Sequence, residues 1–155
     1  MPKEIMRRQA ADNVYLHKDF HGALSNGIDY LERRYGAEAV PKYLRQFALS
    51  YYAPLREDLR KRGLVALKEH FERVYANEGA PIRARLGADW LVLEIDSCPA
   101  VAHMRKSSYP VARLFSETSR VVNEALCEGT PYAAQLVSYR DEDGKSVQRF
   151  YRRQA

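Results

Sequence analysis

Cys98 opens the chemistry. It stands in Asp96-Ser97-Cys98-Pro99-Ala100-Val101-Ala102-His103, directly after a run of strand-forming residues. A thiolate is a strong nucleophile when a neighbouring base or positive charge favours its ionisation. His103, five positions on, is a base of that kind, and Arg105 and Lys106 add positive potential or bind an anionic ligand. The plainer reading makes Cys98 a small buried apolar residue and His103 a polar loop residue.

Two further groups have the right residue types. His17 and His21 are four apart, which puts both imidazoles on one helix face. That spacing suits a divalent metal, but no H-E-x-x-H pattern supplies a third ligand. The pair is read as lining a helix–sheet groove. Tyr51 and Tyr52 precede Pro54, with Arg56 one turn later. Phenols and one guanidinium at a proline kink can hold a small ligand carboxylate. The same tyrosines would also serve as core residues bridging helix and sheet. Glu94 and Asp96 share a strand face, where solvent-facing charges are the ordinary case. Cys127, at a helix end, is read as structural. G-x-G-x-x-G, G-x-x-x-x-G-K-[ST] and G-x-S-x-G are all missing, so nucleotide binding by those routes has no support.

The elements that must position these groups follow from periodicity and turn residues. Asp12 or Asn13 caps a helix from about Val14 to Tyr35, with Leu16, Phe20, Leu24, Ile28 and Leu31 at helical spacing and Gly36 as its stop. Gly22 and Gly27 inside it weaken the helix and allow another element to pack closely. A second helix begins near Ala37 to Pro41 and runs, kinked or interrupted at Pro54, to Arg62. A third spans Leu64 to Asn77 and packs either on the sheet or on a second subunit, which leaves a homodimer open. Ile82 to Leu86 and Trp90 to Asp96 form a hairpin through Gly87-Ala88-Asp89. Ala100 to Lys106 reads equally as loop, strand or short helix. Pro110 to Glu128 is a fourth helix. Tyr132 to Arg140 and Ser146 to Arg153 form a second hairpin around Asp143-Gly144. The fold class is therefore α+β: N-terminal helices on a four-stranded antiparallel sheet made of two hairpins flanking a helix, in an order the sequence leaves open.

The whole chain, 155 residues, fits one domain, with residues 1–12 as a flexible lead-in. No apolar run approaches the roughly 20 residues that span a bilayer, so no membrane association is expected. The first residues lack a signal-peptide core, and two cysteines make no disulfide framework. Both features point to a cytoplasmic protein with free thiols. The net charge of +5 is spread: the densest basic stretch, Arg56 to Arg62, contains Glu57 and Asp58. No nucleic acid partner is expected without a one-signed stripe.

The order of these features resembles the L-2-amino-thiazoline-4-carboxylic acid hydrolase family. The resemblance rests on Tyr35-Gly36, Tyr51-Tyr52 followed by Arg56, Arg62-Gly63, the Cys98-Pro99 pair after a strand, then a helix and a closing hairpin. It spans roughly residues 13 to 153. Leu114-Phe115-Ser116-Glu117 and Gln148-Arg149-Phe150 lack the cysteines such proteins tend to carry there, so only Cys98 carries over. The resemblance implies hydrolytic opening of a small cyclic amidine-like ring bearing a carboxylate, with no cofactor. Cys98, or a water deprotonated by His103, attacks the ring carbon; Asp96 or a tyrosine protonates the leaving atom; Arg56 or Arg105 holds the carboxylate, with Tyr51, Tyr52 and His21 lining the site. The alternative is a non-catalytic small-molecule binding or sensing domain, which resembles vinyl-reductase-type and haem-NO-binding-type ligand domains. In that case a histidine would bind a cofactor. A third reading, a structural or interaction module, gives every residue named above a place in the core or at the surface.

Overall fold

Apolar spacing builds the helical half. The computed structural model describes residues 18–155. Within them α1 (Asp19–Tyr35) buries Gly22, Ser25 and Ile28 along one face. The predicted cap at Asp12 or Asn13, the helix start near Val14 and His17 lie outside the described residues. Gly22 lets Tyr109 approach closely, since a Cβ there would sit 3.0 Å from its ring; Gly27 has nothing packed on it. α2 (Ala39–Tyr51) buries Val40, Leu44 and Ala48. Beyond it the chain takes the interruption and not the kink. Tyr52 leaves helical geometry at φ −95° and ψ 17°, and α3 (Ala53–Arg62) restarts with Pro54 in its first turn. A missing N–H costs little there, because first-turn N–H groups have no helical partner. α4 (Leu64–Asn77) has the predicted bounds and packs on the sheet, against β1 (Arg83–Leu86) and β2 (Trp90–Ile95).

The stretch left open between loop, strand and helix is α5 (Pro99–Lys106). Pro99 starts it in pre-formed geometry, with Cys98 extended at the cap (φ −73°, ψ 122°). The helix expected from Pro110 is shorter, α6 (Glu117–Cys127). Ser25 on α1 explains the difference. Its hydroxyl donates to Pro110 O at 3.1 Å and accepts from Ala112 N–H at 2.8 Å, so the 110–112 backbone bonds to α1.

β3 (Tyr132–Tyr139) and β4 (Ser146–Arg152) complete a four-stranded antiparallel sheet of order β1-β2-β4-β3. The fold is α+β, and the two hairpins join along β2 and β4. Leu91, Leu93 and Ile95 of β2 and Ser146, Gln148 and Phe150 of β4 face the helices. The other face carries Arg83, Arg85, Glu94 and Arg149. β3 holds one irregularity. Leu136 pairs with Gln148 and Ser138 with Val147, which leaves Val137 as an extra residue. This bulge reverses the alternation, so Tyr139 pairs with buried Ser146 and faces the helical side.

The core has two buried clusters. One joins α1, α2 and α5 around Ile28, Leu44 and Met104; the other joins α3, α4 and the sheet around Leu59, Leu67 and Phe150. α6 spans both, with Val121 in the first and Leu126 and Cys127 in the second. Among the described residues no helix is long and apolar enough to cross a membrane.

Candidate functional site

Cys98 lies where the start of α5 meets the β3–β4 turn. Its N–H donates to Asp143 O at 2.9 Å. Gly144, at φ 68°, lies against it so closely that a Cβ there would overlap the Cys98 Cβ. The thiol is half-buried. Burial pushes its pKa up, and the N–H groups of Ala100 and Val101 partly offset this by bonding the sulfur. The charge of Glu78 pushes it up further.

Glu78 is the unexpected member. It follows the last turn of α4, and its side chain is only 3% exposed. Oε1 accepts a hydrogen bond from His21 Nε2 at 2.8 Å. Oε2 is buried with no hydrogen-bond partner among the described residues. A carboxylate here is doubly unfavourable. It has lost water without full replacement, and it stands at the negative end of a helix dipole. Tyr75, three residues earlier on α4, shares the neighbourhood. Burial first, then Cys98, Glu78 and Tyr139, raise its phenol well above the usual range. The Tyr139 phenol is raised likewise, by burial and then by Cys98, with Arg105 opposing. Cys98, Glu78, His21, Tyr75 and Tyr139 thus form one cluster drawn from four helices and strands.

Beside it lies a hollow of about 230 Å³ lined by Arg105, Ala112, Arg113, Phe115, Tyr139 and Asp141. Tyr139 belongs to both the hollow and the cluster.

Of the residues singled out from the sequence, Cys98, His21 and Arg105 come to this region. His103 finds its partners away from Cys98. Five positions along a helix turn a side chain by about 140°, so cap and imidazole diverge once this segment is helical. His103 Nε2 pairs instead with Asp19 Oδ1 at 3.2 Å, and its ring meets Tyr109 edge-on. Asp96 is exposed and bonded to Arg83, with Nη1 to Oδ2 at 2.7 Å. That guanidinium holds its carboxyl below the usual range, which suits an ion-pair partner and not a proton donor. Arg56 donates from Nη2 to Glu128 O at 2.6 Å and leaves a buried Nε without a partner among the described residues. Tyr51 stacks on Phe47, and Tyr52 meets His70 edge-on within the second core cluster. Those three side chains serve the junction of α2, α3 and α6. Cys127 is buried, as a structural thiol should be.

Sequence reasoning missed Glu78, Tyr75 and Tyr139. Glu78-Gly79 reads as an ordinary helix end, and nothing local marks the carboxylate as buried. Among the described residues no group of three or more metal-ligating side chains is assembled. No family model matches the chain, and no curated protein matches it.

Proposed function

We propose that this chain is a hydrolase that opens a small cyclic amidine-like ring carrying a carboxylate, with Cys98 as nucleophile and Glu78 as the group that receives the ring's cationic nitrogen. One observation carries the proposal: a carboxylate oxygen buried beside a thiol with no donor among the described residues to satisfy it. An N–H of an amidinium supplies the missing donor in a charge-assisted hydrogen bond.

The same contact activates the nucleophile. Glu78 is one of the groups that raise the Cys98 pKa, so neutralising its charge with a bound cation eases loss of the thiol proton. The sulfur adds to the ring carbon and the ring C–S bond breaks. The released ring sulfur takes the thiol proton. Water then attacks the same carbon, the Cys98–carbon bond breaks, and the thiol is restored with a urea-type product. Tyr75, kept as a neutral phenol by burial, is the nearby group that relays the thiol proton to the ring sulfur, giving one proton and taking one back.

Binding without turnover is the second reading. It is favoured by the burial that keeps the resting Cys98 thiol protonated. Turnover of 2-amino-thiazoline-4-carboxylate, followed by NMR, separates the two. The hydrolase reading expects Cys98→Ser and Glu78→Gln each to lose about 100-fold or more in rate. Calorimetric binding with no turnover transfers the case to the second reading. Unchanged turnover in both variants removes Cys98 and Glu78 from the chemistry.

A further inference from the structure

We infer that the hollow lined by Tyr139 and Arg105 receives the ligand's carboxylate, and that Tyr139, turned inward by the Val137 bulge, is its hydrogen-bond donor together with Arg105. The inference rests on Cys98 being the reactive group of the site, and it adds which residues hold the other end of the ligand.

The strand register carries it. In an unbroken β3 the inward set would be Tyr132, Ala134, Leu136 and Ser138, and Tyr139 would face solvent. The extra residue at 137 moves Ser138 opposite Val147 and Tyr139 opposite Ser146. The bulge therefore exchanges a small hydroxyl for a phenol on the helical side, at the end of the sheet where Cys98 lies. Bulges next to functional sites commonly re-aim one side chain in this way.

The charges around the hollow set what it takes. Arg105 has a single weak hydrogen bond among those of the described residues, to Asp141 O at 3.4 Å. Arg113 is paired with Glu32. Asp141 also reaches the rim. One uncommitted guanidinium and one phenol match a single carboxylate, and Asp141 disfavours a dianion such as phosphate. The raised Tyr139 pKa keeps its O–H available to donate.

The test uses two alkylating reagents that differ in this group alone. Iodoacetate carries a carboxylate and iodoacetamide does not; both form an S–CH2 bond to Cys98 with loss of iodide, and peptide mass mapping separates Cys98 from Cys127. The iodoacetate-to-iodoacetamide rate ratio at Cys98 is expected to exceed that of free cysteine by about tenfold. Tyr139→Phe and Arg105→Gln should each return it to the free-cysteine value, whereas Val137→Ala should not. A ratio that survives Tyr139→Phe overturns the inference. A protein that shows the ratio but no ring opening loses the hydrolase reading and keeps this one.

Discussion

Glu78 keeps a carboxylate in the core with one of its two oxygens unpartnered among the described residues. Core stability alone would not select this arrangement, and its cost predicts a measurable trade. Glu78→Gln removes the buried charge and still offers His21 an acceptor. It should raise stability by about 1 kcal/mol, or roughly 3 °C in Tm by calorimetry, while lowering turnover. A fall in Tm would show that the carboxylate is fully satisfied in solution. At this scale the sequence was half legible. Cys98 could be found because it follows a strongly β-forming run and precedes proline. Glu78 could not, because a glutamate beside a glycine at a helix end looks the same whether or not distant α1 covers it. Where His103 points could not be read either, because its segment reads equally as loop, strand or helix, and only the helix turns it toward Asp19.

Elements aim these groups. The β3–β4 turn closes over Cys98 through Gly144, whose φ of 68° and lack of a Cβ are both needed. Gly79 has the same φ of 68° but open space around it. Gly79→Ala should therefore cost only the backbone strain, about 1 kcal/mol. Gly144→Ala adds the overlap with Cys98, for about 2–3 kcal/mol in total by denaturant titration. Equal costs would mean that the turn does not rest on the thiol. The glycine stops, the Asp143-Gly144 turn and α4 were readable from local chemistry, since each depends on residues adjacent in the chain. The shortened α6 and the bulge were not. Ser25 captures the 110–112 backbone from 85 residues away in sequence, and nothing in Gln135-Leu136-Val137-Ser138 marks which residue the pairing will skip.

For the whole molecule, local and long-range information divide the fold between them. Each hairpin closes on itself through a short turn, so both were foreseeable. The junction of β2 with β4 joins segments some 50 residues apart and depends on which apolar faces the helices cover. Stability is also a property of this scale, and His70 ties it to pH. Burial, with Arg73 adding to it, lowers the His70 pKa from 6.5 to about 4. Between those values the unfolded chain takes up a proton that the folded one refuses. Its contribution is therefore complete above pH 6.5 and fades as pH falls toward 4, by about 3 kcal/mol in all. Unfolding free energies across that range should slope less steeply in His70→Gln than in the parent chain; parallel curves would place the imidazole in solvent.

The skipped residue in β3 bears on how this chain would be inherited. Val137 is 52% exposed, so most side chains are tolerable there. The pairs on either side of it, Leu136 with Gln148 and Tyr139 with Ser146, need nothing from it, and a chain without it would keep the phenol on the helical side in a regular strand. Selection at this spot therefore falls on neither its letter nor its presence. Descendants could vary or lose it while Tyr139 stays where it is.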